Sequence, residues 1–186
     1  MDRRMRQLGV PIQRRNILQP WFVAMRVGIF RPDCEVARRK AGIKFMDLVV
    51  REEGMKNNAE ILGLETKLEN TRALYRLPMA TQVALTKMSL ADVNRSRDIM
   101  QTGIEIYQQR RLGMMFSHKL HGVSKQTFDS YIEHVITERN LAMRDRALGL
   151  LERGNVFVAV GAMHLPGEQG LVQLFRDAGY RVKAVE

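Results

Sequence analysis

GNVFVAVGAMHLPGEQGLVQLFRDAGYRVKAVE, residues Gly154 to Glu186, is the stretch from which the fold is read. Asn155 to Val160 is a short β-branched apolar run, the pattern of a strand buried on both faces. Leu171, Val172, Leu174 and Phe175 recur at helical spacing. Gly179 falls where a helix C′ glycine belongs, and Tyr180 to Val185 alternates like a second strand. The reading is therefore an α/β chain, mostly helical, with a small sheet and a C-terminal strand–helix–strand unit. In such units ligand-binding and catalytic groups collect at the carboxyl ends of strands. His164 stands at that position, with Gly161 as backbone that lets the chain approach the site without a β-carbon.

Working back from this unit, residues 78–153 are almost wholly helical in pattern. Pro78 suits a first helical turn, Ser89 with Asp92 predicts another helix start, and Ser124 a third. Ile104 with Tyr107, and Tyr131 with Val135, mark faces expected to point inward. Turns near Gly113 and Gly122 divide the region. Further upstream, Pro20 opens a helix carrying Trp21, Phe22 and Met25, whose aromatic face is expected in a core. Gly42 to Met55 predicts an amphipathic helix with Phe45, Met46, Leu48 and Val49 inward. Asn57 and Asn58 make a turn, and Ile61 to Leu64 is a strand candidate closed by Glu65. Thr66 and Glu69 form a T-x-x-E capping box for the helix that follows. Glu65 thus stands, like His164, where a strand hands over to a helix. Its structural alternative is favourable helix N-terminal electrostatics.

Four segments in order then carry a resemblance: PWFVAM at 20–25, GLET at 63–66, RNLAM at 139–143 and GAMHLPGE at 161–168. Together they resemble the TraB/GumN family, over nearly the whole chain. The resemblance implies a fold akin to erythromycin-esterase-like and ChaN-like proteins. It implies metal-assisted hydrolysis, since the animal relatives, the Tiki proteins, are membrane-anchored metalloproteases. Family members usually begin with a further G-x-x-H strand and an acidic residue, which this sequence does not show. The expectation is a single domain over 1–186, truncated at its N-terminus relative to the family, with an incomplete catalytic set.

On that resemblance the site would draw on five residues. His164 is a metal ligand for a divalent ion such as Mn, Co or Zn, and Glu65 a second ligand or general base. Arg139 stabilises a developing oxyanion, Asn140 positions a ligand, and Gly161 supplies site backbone. For Arg139 and Asn140 the structural alternative is pinning their helix by buried hydrogen bonds. The implied substrate is a peptide or a polysaccharide-related molecule, and the implied location the periplasm or cell envelope. The opposing functional class is a non-catalytic binding protein associated with polysaccharide biosynthesis at the envelope.

Composition bounds these expectations. The 186 residues suffice for a real core, and 45% hydrophobic with 27% charged residues is ordinary for a globular chain. No run approaches about 18 uninterrupted apolar residues, so no transmembrane segment is expected. The opening residues are basic, with no apolar h-region or small-residue cleavage site behind them, so no signal peptide is read and a cytoplasmic location stays open. Cys34 is the single cysteine, which excludes an internal disulfide. The net charge of +10 is concentrated at the front, where residues 1–40 hold ten Lys/Arg against three Asp/Glu. Such a front could meet nucleic acid or an anionic lipid surface. No nucleic-acid recognition pattern accompanies it, so the reading is a solvated Arg-rich surface and nucleic acid is not taken as a partner. His118 and His121, three apart, could chelate a metal but have no acidic or cysteine neighbour, and read as a solvated pair. An incomplete sheet would leave a strand edge open to self-association.

Overall fold

The computed structural model describes Arg6 and residues 18–28, 37–91, 93–115 and 122–185. In chain order it shows α1 (Pro20–Gly28), α2 (Met46–Lys56), α3 (Lys67–Tyr75), α4 (Met79–Ala91), α5 (Val93–Gln108) and α6 (Lys125–Tyr131). A π-helical stretch (Ile132–Thr137), α7 (Glu138–Leu151), a 3₁₀ turn (Ala162–His164) and α8 (Leu171–Asp177) complete it. His118, His121, Cys34 and Asp92 lie outside the described residues.

Among the described residues there is no strand and no sheet, which corrects the expected α/β class. Residues 155–160, 61–64 and 180–185 all run without a ladder. The reason lies in where each structure finds its hydrogen bonds. A helix closes them within itself, whereas a strand needs a second strand alongside. Apolar, β-branched composition supplies a tendency but no partner. Residues 155–160 keep the period-two alternation, with Val156, Val158 and Val160 half-buried and Phe157 and Ala159 exposed. Phe157 is 81% exposed, so the run is not buried on both faces. Among the described residues there is likewise no sheet edge of the kind expected to invite self-association.

The described chain divides into two compact units. The first takes Met1–Gly63 with Met79–Ser96 and is built on the packing of α1 against α4. Val23, Thr81, Gln82, Leu85 and Thr86 are buried there. The Trp21 amide donates to Gln82 Oε1 at 3.3 Å, and Thr86 Oγ1 donates to Pro20 O at 2.8 Å. Val23, not the aromatic pair, fills this contact: Phe22 is exposed and meets Trp21 edge-on at 5.8 Å. The helix foreseen over Gly42–Met55 forms as α2, but none of its residues is buried. Ser89 starts no helix, since α4 runs on to Ala91 and the Ser89 hydroxyl donates back to Leu85 O at 3.0 Å.

The second unit takes Leu64–Pro78 with Arg97–Glu186. Thr66 caps α3 with the full capping box, and Ser124 caps α6 by accepting from the Thr127 amide. Tyr131 and Val135 turn inward as foreseen, Val135 fully; Ile104 and Tyr107 are exposed, and the buried residue is Ile106, on another side of the helix. On α7, Asn140, Met143 and Ala147 are buried at three- and four-residue spacing, one helix face. Met143 joins Leu171 and Leu174 of α8 in a core, flanked by Leu64, Leu141, Val160 and Phe175. Gly179, with φ +90°, ends α8 as expected: its amide donates to Arg176 O and the Tyr180 amide to Phe175 O.

Candidate functional site

His164 closes the 3₁₀ turn that follows residues 155–160, with 8% of its surface exposed. Val160 packs on the Met143–Leu171–Leu174 core, so the run still delivers the histidine to the interior although it pairs with no strand among the described residues. Asn140, fully buried on α7, meets it there. The Asn140 amide nitrogen donates to His164 O at 3.2 Å and to Gln169 O at 2.6 Å. Both acceptors are carbonyls, so this end of the side chain must be the NH₂ group. The other end, Oδ1, lies 2.6 Å from His164 Nδ1 and can only accept. Nδ1 therefore carries the proton, and the imidazole is held as the tautomer whose Nε2 bears the lone pair.

Glu65 lies half-buried just before the Thr66 cap, and Arg139 precedes Asn140 on α7. The two form a fork: Arg139 Nε donates to Oε2 at 2.9 Å and Nη2 to Oε1 at 2.6 Å. Asn70 donates to the same carboxylate at 3.1 Å. Burial pushes the Glu65 carboxyl up, but the hydrogen bonds from Arg139 and Asn70, with the charge of Arg139, outweigh it, and it lies below the usual range. Glu65 is thus an ionised, neutralised carboxylate, a weak base in this pairing. Arg139 also donates to Val135 O in the π-helical stretch at 2.9 Å, which fixes its third edge.

The structure brings Glu65, Arg139, Asn140 and His164 into one unit, as two linked pairs sharing α7. Gly161 is a lesser matter: a β-carbon there would meet only His164 Cδ2, at an ordinary 3.7 Å. The glycine that the loop requires is Gly170. A β-carbon on it would lie 2.3 Å from Leu165 O and 2.4 Å from Pro166 O, backbone atoms that cannot move aside. That tight wrap carries the Gln169 carbonyl onto Asn140. A second rung went unread in the sequence. Arg146 donates to Glu69 Oε2 at 3.0 Å and to Leu64 O at 2.7 Å. The signal was present, since Glu65/Glu69 are four apart and Arg139/Arg146 seven apart, each pair on one side of its segment.

The sequence pattern of the TraB/PrgY/gumN family matches residues 1–184, which include every residue of this unit. The chain belongs to that family. No curated protein and no solved structure matches it. Family membership leaves the chemistry to the site itself. Among the described residues no group of three His, Cys, Asp or Glu side chains could hold a metal ion. Of the two candidate donors, Glu65 has both oxygens engaged by Arg139. A resident metal needs about three protein ligands, so the described donor set of this TraB/PrgY/gumN chain does not fit one.

Proposed function

We propose that the chain is a hydrolase-type member of the TraB/PrgY/gumN family whose reactive group is the His164 imidazole. Its catalytic set is incomplete within the described residues. One observation carries the reading: a fully buried asparagine spends all its hydrogen-bonding groups on His164 and its loop. A histidine wanted only for packing needs no fixed tautomer. A proton acceptor or metal ligand does, and a hydrogen bond to the other ring nitrogen is the usual way to set it. The divalent ion enters by family resemblance alone, since the described donors do not fit one. In this reading Asn140 orients the imidazole, and the Glu65–Arg139 fork anchors the start of α3 to α7 beside it. The substrate class is a peptide or polysaccharide-related molecule, and the working location the periplasm or envelope.

The second reading is a non-catalytic envelope-associated binding protein. It is favoured by the same fork, which engages the carboxylate and guanidinium with each other. Two measurements separate them. Calorimetry with Mn²⁺, Co²⁺ and Zn²⁺ should give weak or no binding to this chain, whereas tight stoichiometric binding lost in His164→Ala would show a complete site. Hydrolysis of a fluorogenic peptide panel should be slow and should vanish in His164→Ala. Hydrolysis indifferent to that substitution, or none at all, would overturn the hydrolase reading.

A further inference from the structure

The first unit carries a feature that the site does not use. Residues 37–46, ARRKAGIKFM, hold four cations and no acid. A helical turn over 37–40 reverses at Gly42, whose φ of +66° suits a residue without a β-carbon, and the chain enters α2 at Met46. Ile43, Phe45 and Met46 emerge from this reversal 59%, 49% and 71% exposed. Arg39, Lys40 and Lys44 are exposed around them. The Arg38 guanidinium lies 3.9 Å over the Phe45 ring and donates to Ile43 O, so the loop has a braced shape. Lys44 is ion-paired with Glu52, yet residues 37–56 still hold six Lys/Arg against three Asp/Glu.

We propose that residues 37–46 dock this protein on an anionic lipid surface. Ile43, Phe45 and Met46 enter the boundary between headgroups and acyl chains, and Arg38, Arg39 and Lys40 sit against the lipid phosphates. Apolar side chains interleaved with cations fit that interface, because it offers hydrocarbon and negative charge within one shallow layer. Nucleic acid would satisfy the charge but would leave Ile43 and Met46 in water with nothing to stack on. No helix among the described residues is long and apolar enough to cross a membrane, so the contact lies along the surface. The inference is independent of the hydrolase reading, since none of its residues belongs to that site.

Co-sedimentation with phosphatidylcholine vesicles, with and without phosphatidylglycerol, tests it. The chain should bind the phosphatidylglycerol vesicles and release them at high salt. Arg39→Glu/Lys40→Glu should weaken binding roughly 25-fold or more, at about fivefold per cation removed. Ile43→Ser/Met46→Ser should weaken it while leaving its salt dependence in place. The control Arg181→Glu/Lys183→Glu removes the same charge from exposed positions in the second unit and should keep most of the binding. All these substitutions are at exposed positions, and circular dichroism verifies that each variant keeps its helix. Equal weakening by the two charge reversals would mean that net charge alone acts, and would overturn the proposal. So would binding to neutral vesicles alone, no binding to either, or binding to duplex DNA that competes with the vesicles and is indifferent to Ile43→Ser/Met46→Ser.

Discussion

Asn140 shows how much one side chain can organise. It has no exposed surface, and its amide holds a ring nitrogen and two carbonyls from the 164–170 loop. Replacing it with alanine strips partners from the buried ring nitrogen and carbonyl of His164 and from the part-buried carbonyl of Gln169. Asn140→Ala should destabilise the chain by about 3 kcal/mol in urea unfolding, since an unpaired buried polar group costs roughly 1–3 kcal/mol and the loop relaxes in part. The same variant should change the His164 tautomer. ¹⁵N spectra of the wild type should show the proton on Nδ1 at pH above the imidazole titration. In Asn140→Ala that preference should fall away, an outcome that loss of packing by itself does not produce. Persistence of the Nδ1–H form in the variant would mean that another group sets it.

At the scale of elements, α3 and α7 are joined by two rungs, Glu65–Arg139 and Glu69–Arg146. The rungs differ in setting. The Glu65 pair is largely covered, whereas Glu69 and Arg146 are well exposed. Arg146, with the Thr66 amide and hydroxyl, nonetheless holds the Glu69 carboxyl at about 2, well below its ordinary 4.5. Glu65 is lowered as well. A carboxylate with a depressed folded pKa contributes stability that is present above its unfolded value and lost as pH falls through the folded one. The contribution of these two carboxylates to stability should therefore be level above about pH 4.5 and decline from there toward pH 2, as both are protonated. Glu69→Gln should flatten the lower part of that decline, and Thr66→Ala should cost about 1 kcal/mol through the lost cap. An acid profile unchanged by Glu69→Gln would show that the exposed rung contributes nothing.

Over the whole molecule, each unit rests on helix-to-helix packing, α1 on α4 in the first and α7 on α8 in the second. The apolar segments that read as strands run without ladder hydrogen bonds, and Leu64 and Val160 among them pack on the core of α7 and α8. Protection from hydrogen exchange follows backbone bonding and burial. Amides of 155–160 and 181–185 should exchange rapidly, while those around Met143 and Ala147 in α7, buried to 4% and 0% exposure, should exchange among the slowest. Slow exchange in 155–160 would reveal pairing that the described residues do not supply. Phe157 and Val185, 81% and 87% exposed, are the side chains whose composition promised a sheet.

The sequence by itself determined what is settled within a few neighbouring residues. The Thr66–Glu69 box, the Ser124 cap, the Gly179 stop and the inward Val135 were all legible, because a helix finds its caps, stops and hydrogen bonds locally. The four motifs likewise carried the family. His164, Asn140, Arg139 and Glu65 could be named as candidates, though not the way they pair. Tertiary structure decided that Asn140 serves His164 while Arg139 takes Glu65. It also decided that Val156 to Val160 lies against no strand among the described residues, and that the apolar residues of α2 face out. Each of these depends on which distant segment lies alongside. Periodicity shows that a face is apolar, but only the packed chain shows whether anything covers it.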